Sequence, residues 1–219
     1  MTAEPTGFLY PFIEAEERDS STLVADLAAS ARVKMETSRG LRAATLERCA
    51  DAVERVGAAM AERFLHGGRL FAFGNGGSAT DAEGTVDLFR NPPYGRPLAA
   101  MSLVDDRAVL TALANDVGFE LVFSRQIIAH AQPGDMVIGF STSGDSVNLL
   151  EAFAEASKRH LLTIGLSGYE GGAMADGRRL EHCLVVRSDS VHRIQEAQDA
   201  LVLQLWATVQ SCLDEGSPR

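Results

Sequence analysis

The sequence predicts an α/β fold built on a five-stranded, parallel, doubly wound sheet of the flavodoxin-like type. Short apolar runs at 69–73, 98–103, 135–140, 161–166 and 182–186 show no alternation of polar and apolar residues, which is typical of strands buried on both faces. Helical patterns separate these runs, and strands that alternate with helices favour parallel pairing. Two of the runs pass directly into segments rich in glycine and serine, as strand-to-helix turns at ligand sites often do.

Two helices are predicted before the first strand. The first follows Leu23 and Leu27 and ends at Gly40, and the second repeats apolar residues near a 3.6-residue period from Leu46 to Phe64. Further helices are predicted at 78–90, 105–115, 118–131, 146–159 and 191–213. We therefore expect a helical extension over 1–40, a sheet domain over 41–213 and a short tail over 214–219.

Composition restricts the classes of function. The chain has 219 residues, 46% of them hydrophobic, and a formal net charge of -10. Direct nucleic-acid binding is disfavoured, because affinity for phosphate backbones comes largely from Lys and Arg. Three widely spaced cysteines give no disulfide framework or metal-ligand spacing, and neither a signal peptide nor a membrane span is indicated. These features predict a cytoplasmic protein without a membrane partner.

The two polar loops carry the main functional indication. Residues 74–78 read Gly-Asn-Gly-Gly-Ser, and residues 141–146 read Ser-Thr-Ser-Gly-Asp-Ser. Glycines let a backbone approach a ligand closely, and hydroxyls and free N–H groups at a helix start favour an anion. Since ligands of doubly wound sheets lie beyond the carboxyl ends of the strands, both loops together predict a site for a sugar phosphate.

These loops resemble those of the sugar isomerase (SIS) domain family, and most closely its phosphoheptose isomerase branch. The motifs at 114–116, 168–172 and 193–196 agree in order and spacing, so the resemblance covers roughly 45–213. It implies phosphate binding by Ser141, Thr142, Ser143 and Ser146, and sugar contacts by Asn75, Gly76, Gly77, Ser78, Asn115, Asp116 and Gln195. Asp145 departs from the pattern, because the family commonly has Asn there.

The resemblance also implies a set of catalytic and zinc-binding residues, and most of it is missing here. The family places His and Glu four residues apart on the helix after the first loop, but Gly84 and Leu88 occupy those positions. On the last helix Gln195 is kept, whereas a His position eight residues later is Leu203 and a second one is Gln198. Glycine and leucine neither ligate a metal nor transfer a proton, so we expect no zinc cofactor.

Three other side chains could supply acid–base chemistry instead. Glu83 and Asp87 lie four residues apart on one helix, rotated about 100° from the face of Gly84 and Leu88. His192, three residues before Gln195, has an imidazole suited to proton transfer. A solvated helix face for the two carboxylates and a surface or subunit contact for the imidazole are the alternatives.

Three functions therefore remain open from the sequence. The first is a binding or regulatory protein that recognises a phosphorylated sugar or nucleotide sugar without converting it. The second is an aldose–ketose phosphate isomerase, such as a sedoheptulose 7-phosphate isomerase, that uses Glu83, Asp87 or His192. The third is a scaffold with a vestigial site. The resemblance further implies a homo-oligomer, a dimer of dimers that shares its sites between subunits.

Overall fold

The computed structural model describes residues 20–177 and 179–215. Its helices are α1 Ser20–Leu65, α2 Gly77–Arg90, α3 Arg107–Asp116, α4 Val122–His130, α5 Val147–Lys158 and α6 Val191–Glu215. Its strands are β1 Leu70–Gly74, β2 Ala100–Ser102, β3 Met136–Ser141, β4 Leu162–Gly168 and β5 His182–Val186. Two 3-10 turns, Phe119–Leu121 and Gly172–Met174, follow α3 and β4.

The five strands form one parallel sheet in the order β2-β1-β3-β4-β5. In the register, Leu70 pairs with Met136 and Met136 pairs with Leu162, so β1, β3 and β4 begin at one level. Every residue of these three strands is buried, as the runs without alternation predict. The doubly wound sheet is confirmed. Because β1 and β3 pair in parallel, their carboxyl ends lie side by side at the point where the strand order reverses.

Each face of the sheet has its own hydrophobic core because successive strand side chains point to opposite sides. Leu70 and Ala72 pack on one face with α2, α6 and the second half of α1. Phe71 and Phe73 pack on the other face with α4 and α5, where the ring of Phe73 lies 5.2 Å from that of Phe123. The sheet is therefore a rigid base for the loops at its edge.

The prediction of two helices before the first strand is wrong. From residue 20 to the start of β1 the chain forms one helix, α1, which passes through Gly40 without a break. A glycine inside a helix costs about 1 kcal/mol relative to alanine, and no proline accompanies Gly40 to remove a hydrogen bond. The helical residues on both sides therefore outweigh it.

The chain divides into two compact units, residues 1–40 and 41–219. In the first unit, residues 1–19 of the predicted extension lie outside the described residues. In the second, α6 continues to Glu215, two residues past its predicted end, and the remaining tail at 216–219 lies outside the described residues. Within 20–177 and 179–215, no helix combines the length and apolarity needed to cross a bilayer.

Candidate functional site

Two loops lie next to each other at the carboxyl edge of the sheet. We call 74–78 the glycine loop and 141–146 the serine loop. Asn75 of the glycine loop and Asn148 of α5 form two reciprocal amide hydrogen bonds, each of 2.9 Å, in which each Nδ2 donates to the other Oδ1. Asn148 is buried at the start of α5, so this pair fixes the glycine loop against the helix that follows the serine loop.

The glycine loop turns tightly from β1 into α2. The Ser78 N–H donates to the Asn75 carbonyl at 3.0 Å, and Gly76 has a φ of 57°. A Cβ on Gly74 would clash with the Ser78 carbonyl, and a Cβ on Gly77 would clash with the Gln195 amide. Glycine is thus required at Gly74, where the loop folds onto its own backbone, whereas a side chain at Gly77 would displace the end of the Gln195 side chain. Gly76 and Gly77 remain exposed.

The serine loop gathers three hydroxyl groups at the start of α5. Ser141 Oγ lies 3.1 Å from Ser146 Oγ and 3.4 Å from Ser143 Oγ, and the Gly144 N–H donates to Ser141 Oγ at 3.1 Å. Ser146 precedes the first residue of α5, where backbone N–H groups point out of the helix. Hydroxyls and helix N–H groups in this arrangement can donate to a phosphate. Thr142 is tied through its carbonyl to the Gly168 N–H.

Asp145 does not point into this group of hydroxyls. Its Oδ1 accepts a 2.8 Å hydrogen bond from the Ala173 N–H in the segment after β4. The repulsion that the sequence predicts for a carboxylate beside a phosphate is therefore reduced by the direction of the side chain. The family's more usual Asn would offer the same acceptor oxygen there.

An open pocket of about 520 Å³ lies between the two loops. Asn75 and Ser146 line it together with Phe119 and Glu120 from the turn after α3. Sequence analysis did not select these two side chains, although Phe119 lies three residues after the matching motif at 114–116. Gly118 has a φ of 105°, which turns the chain here, and the glycine itself is the signal that the sequence offered.

Asn115 and Asp116 lie just before this turn, at the end of α3. Both are exposed, and Asn115 Nδ2 donates to Asp116 Oδ1 at 2.8 Å. Neither side chain lines the pocket between the loops. Their predicted contact with a ligand stays a prediction.

Gln195 reaches the start of α2 from the first turns of α6. Its Nε2 donates to Asp81 Oδ2 at 3.1 Å, and its amide packs against Gly77. The contact lies within one chain. It brings the glycine loop, α2 and α6 to one point.

Asp81 is the ionisable group that the structure singles out at this point. The pKa of its carboxyl is raised from 3.8 to about 6, chiefly by burial; the Gln195 hydrogen bond opposes the shift, and the charge of Asp199 adds to it. Burial also raises the pKa of Asp199, with a smaller contribution from Glu196. Sequence analysis used Asp81 only to align the motif, since burial cannot be read from the residue type.

Asp81 shares a helix face with the two replaced family positions. At 100° per residue, Gly84 and Leu88 lie within about 60° of Asp81 around α2. Glu83 and Asp87 lie about 160° and 120° away, so they point to the other side of the helix. Both are exposed, and Asp87 Oδ1 accepts a 2.8 Å hydrogen bond from Asn91 Nδ2. The structure therefore does not bring these two carboxylates to the face of Asp81.

His192 is also exposed, in the first turn of α6. It lies three residues before Gln195, so the two occupy neighbouring positions on the helix surface. The described contacts join Gln195, and not His192, to the start of α2.

The residues at the family's zinc-binding positions do not fit a zinc ion. A Cβ on Gly84 would meet nothing within 4 Å, Leu88 packs against a core, and Leu203 is 53% exposed. Gln198 is fully buried, and neither polar atom of its amide has a partner among the described residues. Within 20–177 and 179–215, no group of three or more His, Cys, Asp or Glu side chains is placed to hold a metal ion.

Comparison with known proteins agrees with the loops and the fold. A family model described as the SIS domain matches residues 35–168. The phosphoheptose isomerase of Roseiflexus sp. (strain RS-1) is 40% identical over 186 residues, which are 83% of this chain and 92% of that protein. That of Campylobacter jejuni serotype O:6 is 40% identical over 166 residues, 75% of this chain and 86% of that protein.

A solved structure of a phosphoheptose isomerase also matches this chain. The phosphoheptose isomerase of Neisseria gonorrhoeae superposes with a TM-score of 0.78 and 30% identity, covering 84% of this chain and 99% of that chain. The chain therefore belongs to the SIS-domain family. Within it, the chain is a relative of the phosphoheptose isomerases, and the predicted resemblance is confirmed.

Proposed function

We propose that this protein binds a phosphorylated sugar between the glycine loop and the serine loop. The serine loop would hold the phosphate through Ser141, Thr142, Ser143 and Ser146, and the glycine loop and Gln195 would face the sugar. The observation that carries the proposal is that Ser143 Oγ and Ser146 Oγ both lie within 3.4 Å of Ser141 Oγ at the start of α5. Beside them is a pocket that Asn75 lines from the other loop.

Local donors suffice for such a ligand although the net charge of the chain is -10. Hydrogen bonds to a charged partner contribute about 1.5–3 kcal/mol each, so four or five of them can hold a phosphate without a lysine. The two amides of the Asn75–Asn148 pair keep the loops at a fixed separation, which reduces the entropy lost on binding.

We propose further that recognition, rather than zinc-assisted isomerisation, is the primary activity. The relatives bear the name phosphoheptose isomerase, which favours the same class of ligand. The three positions Gly84, Leu88 and Leu203 carry no group that can ligate a metal or transfer a proton. A binding or regulatory role in the cytoplasm requires only the two loops.

One observation favours isomerisation as a second candidate function. Asp81 is partly buried beside the glycine loop, on the helix face of Gly84 and Leu88, and its pKa is raised to about 6. A carboxyl group with such a pKa can accept and return a proton near neutral pH. Moving a proton between adjacent carbons of an enediol is what an aldose–ketose conversion needs, so Asp81 is a better candidate than Glu83, Asp87 or His192.

Thermal unfolding with added ligand tests the binding proposal. We expect sedoheptulose 7-phosphate, or a related sugar phosphate or nucleotide sugar from the same screen, to raise the Tm of the full chain, since a ligand that binds the native state stabilises it. Ser143→Ala and Ser146→Ala should reduce the shift at a fixed ligand concentration. Ser157→Ala, an exposed hydroxyl farther along α5, is the matched control and should keep it. Equal shifts in all variants would contradict the phosphate assignment.

An isomerase assay separates the two candidate functions. Purified protein incubated with sedoheptulose 7-phosphate should yield no aldose product if recognition is the activity. Turnover that Asp81→Asn abolishes and Glu83→Gln retains would establish the second candidate instead. Addition of Zn²⁺ should leave the result unchanged in either case.

We also propose a homo-oligomer, a dimer of dimers with sites shared between subunits. In the unit before Leu41, Val24, Leu27, Val33 and Met35 are large apolar side chains that the chain itself leaves exposed. Leu203 is similarly exposed on α6. Light scattering should give a mass of four chains at micromolar concentration, and a monomer would contradict the proposal.

A further inference from the structure

We propose that Asp145 is a positioning residue that holds the serine loop in its phosphate-binding conformation, while its own charge weakens the binding of that phosphate. The inference rests on the proposed function, in which the serine loop binds the phosphate of a sugar. It assigns a role to the one residue of this loop that departs from the family pattern.

Asp145 joins the serine loop to the segment after β4, which we call the brace and define as 168–174. The carboxylate Oδ1 accepts from the Ala173 N–H at 2.8 Å. Two backbone hydrogen bonds run beside it, from the Met174 N–H to the Gly144 carbonyl and from the Gly168 N–H to the Thr142 carbonyl, each of 3.0 Å. Of these three hydrogen bonds between the serine loop and the brace, the one to Asp145 is made by a side chain.

The two segments also touch through their backbones. Gly144 has a φ of 73°, and a Cβ there would clash with the Gly171 carbonyl. A Cβ on Gly172 would clash with the Ser143 carbonyl and lie 2.7 Å from Asp145 Oδ1. The two backbones are therefore in close contact, and the three hydrogen bonds oppose their separation, so we expect the serine loop to follow a displacement of the brace.

The brace itself is fixed to the body of the domain. Met174 is 1% exposed and belongs to the core on the α4–α5 face of the sheet. Gly168 is the last residue of β4, and Glu170 forms an ion pair with Arg187 beyond β5. Asp145 therefore ties a loop that carries exposed ligand donors to a point that is anchored in the core.

The same carboxylate carries a charge that phosphate binding does not favour. Asp145 is exposed and adjacent in sequence to Ser146, whose hydroxyl belongs to the serine cluster. Two like charges separated by several ångströms in a largely aqueous environment weaken binding by about two- to fivefold. An Asn side chain would keep an acceptor oxygen for the Ala173 N–H and remove the charge.

Three variants of the full chain separate positioning from charge. Asp145→Asn keeps the acceptor and loses the charge, Asp145→Ala loses both, and Glu151→Gln is a matched control that removes one exposed charge from α5. The probes are inorganic phosphate and sedoheptulose 7-phosphate, measured by calorimetry at low salt and at 0.5 M salt. Amide hydrogen exchange of 141–146 and 168–174 is measured on the same samples without ligand.

We expect Asp145→Asn to bind about two to five times more tightly than the native chain at low salt, with the gain disappearing at 0.5 M salt. Asp145→Ala should bind at least five times more weakly than Asp145→Asn at 0.5 M salt, and its brace and serine-loop amides should exchange faster. Glu151→Gln should match the native chain in both measurements.

Equal affinity of Asp145→Ala and Asp145→Asn at 0.5 M salt would overturn the positioning role. Unchanged exchange at Ala173 in Asp145→Ala would overturn it as well, and that readout requires no ligand. If the native chain binds neither probe but Asp145→Ala exchanges its brace and serine-loop amides faster, the proposed function is wrong. The positioning role of Asp145 in the loop is then still supported.

Discussion

At the scale of single residues, the site differs from that of a zinc-type isomerase in which side chains can bind a metal or transfer a proton. Gly84 and Leu203 present no donor atom, whereas the carboxyl of Asp81 lies on the same side of α2 as Gly84. Its contact with Gln195 places it next to the glycine loop. The residue identities alone predict the loss of the family's groups, but only burial makes Asp81 chemically distinctive.

The raised pKa of Asp81 predicts a dependence of stability on pH. Because its folded pKa, about 6, lies above the ordinary 3.8, folding favours the protonated form. The contribution of Asp81 to stability is therefore fully present below about pH 4 and is lost as the pH rises through 6. The charge of Asp199 adds to the cost of the charged form of Asp81, and the charge of Glu196 adds only to that of Asp199.

Asp81→Asn should accordingly be more stable than the native chain above pH 6, by about 1–2 kcal/mol after allowance for partial exposure. The difference should disappear toward pH 4, where the native carboxyl is protonated too. Denaturant unfolding between pH 4 and 8 measures it, with Glu83→Gln, an exposed carboxylate on the other side of α2, as the control. The prediction would be wrong if the free energies of unfolding of the native chain and the variant changed with pH in parallel.

At the scale of elements, strand ends and helix starts decide where the two polar loops lie. β1 ends in the glycine loop and β3 ends in the serine loop, and the two strands pair in register from Leu70 with Met136 to Gly74 with Phe140. The glycines that follow have distinct requirements. Gly74 has no room for a Cβ, whereas Gly84 in the middle of α2 has open space around it.

Two alanine substitutions should therefore change stability in opposite directions. Gly84→Ala should stabilise the domain by about 1 kcal/mol, because alanine has the higher helix propensity and its methyl group meets nothing. Gly74→Ala should destabilise it by about 1–3 kcal/mol, since the added methyl group forces the glycine loop away from Ser78. Urea unfolding of both variants measures this, and a loss of stability in Gly84→Ala would show that α2 is packed against a further surface.

At the scale of the whole molecule, the negative net charge opposes the binding of an anion, whereas local hydrogen-bond donors favour it. The chain carries a net charge of -10, yet the serine loop offers neutral hydroxyls and backbone N–H groups to an anion. Long-range repulsion is screened by salt, whereas short hydrogen bonds inside the site are screened far less. A phosphate site of this kind differs from one formed by lysine or arginine.

We therefore expect the affinity for sedoheptulose 7-phosphate to rise by up to about threefold between 20 and 150 mM salt. Sites that bind phosphate through cationic side chains lose affinity over the same interval. Calorimetry at several concentrations of a salt with a weakly binding anion, such as gluconate, measures the trend. A steep fall in affinity would instead indicate that a cationic group, such as Arg193, contacts the phosphate.

The sequence by itself determined the sheet, the order of the strands and of most helices along the chain, the two polar loops at the strand ends and the family. Unbroken apolar runs and loop motifs are local properties, and they can be read from neighbouring residues. It did not determine the continuity of α1 through Gly40, because packing and neighbouring propensity outweigh one glycine. Only the tertiary structure decided the direction of the Asp145 carboxylate and the burial of Asp81, since both depend on segments distant in sequence, the turn at Ala173 and the start of α6 at Gln195.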